Sequence, residues 1–340
     1  MLWPFAVLYQ LATSLRNHLY NTGFRPSVVF EVPTVCVGNL SVGGTGKTPH
    51  IEYLLRFLLK KGYKASTLSR GYGRRTKGPI IADETASALQ IGDEPMQFFR
   101  KFYPEVAVAV GEERIVAVPH LLDEHPDTEV VLLDDAYQHR KLRASFQILL
   151  TDYSRPFYKD YLLPTGMLRE SRKGARRAQV IIVTKCPEML SAQEKEGIKQ
   201  KLRKYARKDA QIFFSKIQYG NPVPLGETQS QEAAEGYCLV TGIANPQPLK
   251  DYLQSENTLF KHWDFNDHHR YKPSDLDSIL QHCTSNRPIL LTEKDAVKWE
   301  LEELKPLWEE YPVYYLPIEV AFLEGESEFQ KLISRQLIEN

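Results

Sequence analysis

Residues 32–60 leave this chain the least choice of fold. VPTVCVGNL (32–40) is apolar and β-branched and ends in a Gly-Asn turn signal, the pattern of a short buried strand. SVGGTGKT (41–48) follows, then PHIEYLLRFLLKKG, in which Ile51, Leu54, Leu55, Leu58 and Leu59 recur at helical spacing. Pro49 suits the first turn of that helix and Gly62 its C-cap. A strand, a glycine-rich turn and a helix N-terminus in that order aim several backbone N–H groups and the positive end of a helix dipole at one point. Such a point takes phosphate. Gly43, Gly44, Thr45 and Gly46 form the cradle, Lys47 reaches the β- and γ-phosphates, and Thr48 offers a hydroxyl to Mg²⁺. The G-x-x-x-x-G-K-[ST] pattern asks for glycine at position 41, where this chain has Ser41. The flanking strand and helix therefore carry as much of the argument as the loop.

The alternation continues beyond the loop. Apolar runs at 64–70, 104–110, 128–135, 145–152 and 178–185 predict five more strands, separated by helical stretches. Several are continuous rather than alternating, as strands covered on both faces should be. The expected fold is α/β, a doubly wound, mainly parallel sheet of the P-loop type. The polar stretch 220–236 reads as a linker, and a second, smaller α/β block runs from YCLVTGIANP through RPILLTEKDAV. The expected division is 1–220 and 221–340. The last apolar strand, 313–322, is expected to return and pair with 211–219 as a two-stranded connection.

Lys+Arg and Asp+Glu both number 43, a balance that argues against a nucleic-acid binder. Cys36, Cys186, Cys238 and Cys283 are far apart with no C-x-x-C pair, which argues against a zinc site or a disulfide framework. The apolar start, MLWPFAVLYQLA, is shorter than the ~20 residues a spanning helix needs. Trp3, Phe5, Leu8, Tyr9, Leu11, Leu15 and Leu19 fit one side of a helix that either lies in a membrane interface or packs on the protein's own core.

Other residues bear on chemistry. VVLLDD ends an apolar strand in Asp134 and Asp135, the usual source of a carboxylate for the nucleotide's Mg²⁺. Adjacent strand residues point opposite ways, so either is a candidate. Guanine-reading N-K-x-D is missing: TKCP (184–187) has Pro187 for the acid, and TEKD (292–295) has its lysine one place late. IGDEP places Asp93 and Glu94 in one loop; NDHHRY places Asp267, His268 and His269 in the second block. An Asp–His pair is a proton-accepting unit. The basic stretch Arg169, Arg172, Lys173, Arg176 and Arg177, with Arg155 and Lys159 upstream, faces anionic lipid or a substrate phosphate, or is a solvated helix face.

VGNLSVGGTGKTPHIEYL, LSRGYGRR, IGDEP, LLDDAYQHRKL, LLPTGMLRE, DFNDHH and LTEKDAVK occur in this order. Together they resemble the tetraacyldisaccharide 4′-kinase family of lipid A biosynthesis in Gram-negative bacteria, which also lacks the first glycine of the loop pattern. The resemblance spans about residues 30–300. It implies MgATP as donor, a tetraacylated glucosamine disaccharide 1-phosphate as acceptor and lipid IVA as product. It also implies a peripheral or monotopic place on the cytoplasmic face of the inner membrane. No nucleic acid and no obligate protein partner are implied. By matching motifs, Asp93 and His268 would form the catalytic dyad. Ser41, Gly43, Gly44, Thr45, Gly46, Lys47, Thr48 and Arg114 would hold the nucleotide. Thr48, Asp134, Asp135 and Glu170 would serve the metal. Tyr72 and His139 fall in motifs near the site. Two features depart from the family pattern: Ala136 stands for the usual glycine of D-D-G-x-Q-H, and the N-terminal apolar run is short. Two other readings stay open on sequence: a nucleotide-regulated binding protein, and a P-loop kinase for a soluble metabolite.

Overall fold

The computed structural model describes residues 2–226 and 235–338. Residues 227–234 of the expected linker lie outside the described residues. The strands are β1 (Thr34–Asn39), β2 (Ala65–Ser69), β3 (Ile80–Ile81), β4 (Ala107–Val110), β5 (Val130–Asp134), β6 (Phe146–Asp152) and β7 (Val180–Thr184). They continue with β8 (Gln211–Tyr219), β9 (Val223–Pro224), β10 (Tyr237–Thr241), β11 (Leu259–Asp264), β12 (Ile289–Thr292), β13 (Val313–Leu316) and β14 (Ile318–Phe322). One sheet has the order β14-β8-β7-β6-β1-β5-β2-β4-β3, and a second has β11-β10-β12-β13-β9. The first is parallel except at its edges, where β14 and β3 run antiparallel to their neighbours. The expected six strands of the first block are β1, β2, β4, β5, β6 and β7.

Both faces of the large sheet are covered, which explains the continuous apolar runs. Along β5, Val130 and Leu132 face one core cluster and Val131 and Leu133 the other. The phosphate-loop helix (Lys47–Lys60) packs Ile51, Leu54, Leu55 and Leu58 on the first face; the helix Arg114–Glu124 packs Ala117, Val118 and Leu121 on the second. The small sheet has its own cores, one around Trp299 and Trp308 and one around Leu239, Leu290 and Tyr314.

The two-stranded connection differs from expectation in one respect. The run 313–322 is two strands, not one, because it breaks at Pro317, which has no N–H to continue a ladder. β13 joins the small sheet and β14 the large one. The partner segment breaks opposite, at Gly220, whose N–H donates to the Pro317 carbonyl (2.9 Å). The chain after this ribbon returns to the large sheet: Phe329 and Ile333 of the C-terminal helix (Glu326–Ile338) join its core.

The N-terminal helix (Trp3–Asn21) is built inside out. Ala6 and Thr13 are buried against the protein, while Leu8, Leu11 and Leu15 are 64%, 62% and 61% exposed. Trp3, Phe5 and Val7 extend that apolar face, and Phe24, Val28 and Val29 continue it just beyond the helix. The inner face is tied down by polar groups: Tyr9 Oη donates to the Arg169 carbonyl (2.8 Å) and Asn17 Nδ2 to Glu170 Oε2 (2.9 Å). No helix among the described residues is long and apolar enough to cross a membrane.

Candidate active site

β1 ends where the parallel sheet opens, and the loop after it turns into the helix N-terminus. Gly43 (φ 103°) and Gly46 (φ 83°) take left-handed conformations that glycine adopts without a Cβ clash. A Cβ added at Gly43 or Gly44 would meet nothing within 4 Å, so the cradle is open on its ligand side. Its outer side is braced. Asn39 Nδ2 donates to Thr45 Oγ1 (2.8 Å), Thr184 Oγ1 to the Thr45 carbonyl (2.9 Å) and Lys185 Nζ to the Gly44 carbonyl (2.5 Å). Thus Thr184 and Lys185 of TKCP, a segment without the guanine-reading acid, clamp the loop. Ser41 bridges to Leu168, and the Val42 N–H donates to the Met167 carbonyl (2.7 Å). Buried His50 reaches back from the helix: Nδ1 meets the Gly46 carbonyl (2.7 Å) and Nε2 meets Ser215 Oγ on β8 (3.0 Å).

Asp134 and Asp135, at the end of β5, part ways. Asp135 takes a left-handed φ of 48°, so Ala136 is spared the strained conformation that its glycine-to-alanine departure put in question. The Asp135 carboxylate meets Lys47 Nζ (3.6 Å) and accepts from Arg169 (2.6 and 3.0 Å). Burial works against its charge, but Lys47 and Arg169 outweigh it and hold its pKa at about 2. Asp134 is buried, and its Oδ1 has no hydrogen-bond partner among the described residues. Burial, with Asp135 and Glu94 adding to it against the pull of Lys47 and Arg114, pushes its pKa up to about 7. An unpartnered buried carboxylate oxygen beside an open phosphate cradle is the donor a hard cation takes. Arg114 is buried beside it and donates to the Asp134 carbonyl (3.4 Å).

Glu170 departs from its expected place. It is fully buried, and both of its oxygens are taken: Oε1 by Gln138 (3.0 Å) and Arg177 (2.7 Å), Oε2 by Asn17 (2.9 Å) and Arg177 (2.8 Å). With no lone pair left facing a cation, it serves to anchor the N-terminal helix rather than a metal. The basic stretch is likewise mostly spoken for. Arg155 pairs with Asp160, Arg172 donates to the Asp160 carbonyl, and Arg169 reaches Asp135 and Asn39. Lys173 and Arg176 stay exposed.

Asp93 and His268 meet across the two sheets. Asp93 opens the helix Asp93–Phe102, and His268 sits after β11 at φ 59°. His268 Nδ1 lies 3.4 Å from Asp93 Oδ2. Tyr72 packs on the imidazole (centroids 4.9 Å apart), and Lys298 Nζ lies 3.8 Å from Asp93. His269 is turned away, paired with Asp275 (3.0 Å). A cleft of about 1080 Å³ gathers Ser41, Gly43 to Thr48, Arg114, Asp134, Asp135, Arg169 and His139 from the first sheet with Asp267, His268 and Lys294 from the second. Sequence reasoning did not assign Asn39, Lys185, Lys294 or Lys298 to this site. LTEKDAVK was a signal for the last two.

Comparison with known proteins agrees. The family model described as tetraacyldisaccharide-1-P 4′-kinase matches residues 1–338. A tetraacyldisaccharide 4′-kinase of Flavobacterium johnsoniae is 45% identical, the match covering 100% of this chain and 97% of that one. Its counterpart in Cytophaga hutchinsonii is 38% identical over 100% of this chain and 96% of its own length. The crystal structure of "apo" form LpxK from Aquifex aeolicus in complex with ATP superposes with a TM-score of 0.74 at 29% identity, covering 99% of this chain and 98% of that one. A match over nearly every residue, in sequence and in fold, leaves one conclusion: the chain belongs to the tetraacyldisaccharide-1-P 4′-kinase family.

Proposed function

We propose that the protein transfers the γ-phosphoryl group of ATP to the 4′-hydroxyl of a tetraacylated glucosamine disaccharide 1-phosphate, giving lipid IVA, at the cytoplasmic face of the inner membrane. One observation carries this reading: a single cleft holds a phosphate loop on one wall and His268 on the other, with Asp93 behind the imidazole. A switch protein needs the first wall only. The exposed apolar face of the N-terminal helix favours a lipid acceptor over a soluble one.

In this reading the loop amides and Lys47 bind the phosphates, and Asp135 holds Lys47 in place. Mg²⁺, when bound, supplies positive charge that offsets the charge of the reacting phosphates. Thr48 and Asp134 would hold it, and Asp135 in second place, since Lys47 and Arg169 already occupy its carboxylate. Asp93 and His268 take the proton of the 4′-hydroxyl as its oxygen bonds to the γ-phosphorus and the bond to the β,γ-bridging oxygen breaks. Apolar acyl chains lie toward the face that the N-terminal helix presents. The division into a nucleotide block and an acceptor block, joined by the ribbon at Gly220 and Pro317, would let the cleft close on both substrates.

The test is direct. Purified protein with MgATP and the tetraacylated disaccharide 1-phosphate in mixed micelles is expected to yield a doubly phosphorylated lipid. Protein that binds ATP but transfers nothing to this lipid would overturn the reading.

A further inference from the structure

The segment TEKDAVK (292–298), whose TEKD lacks the guanine-reading spacing, has no part in the chemistry above. It opens the helix Glu293–Trp299, capped by Thr292, whose Oγ1 accepts from the Asp295 N–H (3.1 Å). Asp295 is buried; its Oδ2 accepts from the Gly242 N–H (2.9 Å), which fixes the helix to the loop after β10. One turn of helix then aims two lysines at the dyad. Lys298 faces Asp93 (3.8 Å). Lys294 faces His268: its Nζ lies 3.3 Å from His268 Nε2, 3.1 Å from Glu94 and 3.3 Å from Asp267.

An ammonium has three N–H groups and no lone pair. Lys294 has three acceptors around it, so its set is complete. Burial opposes its charge, but Glu94, Asp267 and Asp93 outweigh that and raise its pKa. A donor-only cation at Nε2 requires a lone pair there. The ring proton is then on Nδ1, where it faces the acceptor-only Asp93 carboxylate. Nε2 is the ring nitrogen that meets Lys294, and both His268 and Lys294 line the cleft, whereas Asp93 meets the ring from the Nδ1 side.

The carboxylates make this arrangement necessary. Asp93 lies 3.4 Å from Nδ1 and Asp267 lies 3.8 Å from Nε2, with Glu94 bridged to the ring through Lys294. With Asp267 on the Nε2 side, a ring proton placed there would have an acceptor, and a nitrogen that carries a proton accepts nothing from a hydroxyl. The groups facing the ring are Asp93 and Glu94 from the helix Asp93–Phe102, Asp267 from its own loop, Lys294 from the TEKD helix and the Tyr72 ring. Lys298 adds positive charge behind Asp93.

We propose that Lys294 is a positioning residue for the dyad: it holds the His268 ring proton on Nδ1 toward Asp93 and the Nε2 lone pair for the acceptor hydroxyl. When the hydroxyl arrives it takes the place of one Lys294 N–H, and Lys294 retains Glu94 and Asp267. The proton then passes from the hydroxyl oxygen to Nε2, and the imidazolium is stabilised by Asp93.

The proposal rests on the kinase reading only for its turnover arm. The first arm is the ¹⁵N spectrum of the His268 imidazole in the full chain, assigned by subtraction of His268→Gln. The wild type is expected to carry its proton on Nδ1 with Nε2 bare, Lys294→Met to carry a proton on Nε2 toward Asp267, and Lys294→Arg to match the wild type because guanidinium is also donor-only. The second arm is kcat and the KM for the lipid at pH 7. Lys294→Met is expected to lower kcat by about tenfold with KM within about threefold of wild type, as loss of a positioned proton acceptor should. ATP affinity within twofold of wild type shows that the variant is folded. A wild-type ring protonated on Nε2, or a Lys294→Met spectrum and kcat identical to wild type, would overturn the proposal. If the spectra behave as expected and no lipid is phosphorylated, the kinase reading fails while the ring proton held on Nδ1 by Lys294 stands.

Discussion

Every residue of the phosphate cradle lies between Asn39 and His50, whereas Asp93 and His268 are 175 residues apart and belong to different sheets. The cradle is held by short hydrogen bonds at 2.5–2.9 Å from Asn39, Thr184 and Lys185. The dyad contact is 3.4 Å and depends on a ribbon whose two strands change sheets at Gly220 and Pro317. A phosphate site must be rigid before its ligand arrives, because its donors act by being already oriented. A proton-accepting pair that must admit a hydroxyl is better served by parts that approach with the substrate. The difference in construction thus matches a difference in task.

The largest effect is expected where the cradle meets its charge. Lys47→Ala removes the cation that Asp135 meets and that the proposed function gives to the phosphates. It should lower kcat/KM by about 10³-fold or more and weaken ATP binding as well. Turnover and ATP affinity within tenfold of wild type would show that the loop is not the nucleotide site.

The N-terminal helix puts a smaller, separable effect to the test. Replacing Leu8, Leu11 and Leu15 together with serine removes an exposed apolar face worth roughly 1.5 kcal/mol or more per residue when buried in lipid. Partition to anionic liposomes should fall by about 100-fold or more, while turnover of micellar substrate stays within about threefold. Unchanged partition would mean that this face meets something other than lipid.

The smallest effect concerns the long-range brace of the loop. Burial holds the His50 imidazole down at about 4, against a weaker upward pull from the Gly46 carbonyl. Below its ordinary value of 6.5 the unfolded chain binds a proton that the folded chain refuses. Stability therefore falls as pH drops from about 6.5 to about 4, by on the order of 3 kcal/mol in all, and this group adds no pH dependence above that window. Denaturation of His50→Gln should lack that component of the slope. Equal slopes in the two proteins would place His50 in water rather than against Ser215.

The same contrast explains what the sequence shows. β1, β2, β4, β5, β6 and β7 are legible because both faces of the large sheet are covered and each strand is an unbroken apolar run. β3, two residues long, and β11, whose LFKHWD is only partly buried, leave no such mark. The break at Pro317 was visible as a residue but not as a change of sheet, which is decided by pairing partners far away. The N-terminal helix shows the limit of periodicity: an apolar stripe has the same spacing whether it faces the core or the outside. Glu170 shows the limit of motifs. Its neighbours in sequence place it near the site, yet Asn17 and Gln138, far upstream, and Arg177, seven residues downstream, take up its charge. The local half of the site was legible; the half assembled across the cleft was legible only as separate motifs.

The central claim is that Asp93 and His268 act as one unit across that cleft. A double-mutant cycle on kcat, with MgATP and the tetraacylated disaccharide 1-phosphate, tests it. Asp93→Asn and His268→Gln are each expected to lower kcat by about 10²-fold or more with ATP affinity kept, and the double variant to be no worse than the poorer single one. Losses that multiply in the double variant would contradict the account, because two residues that act separately need not meet.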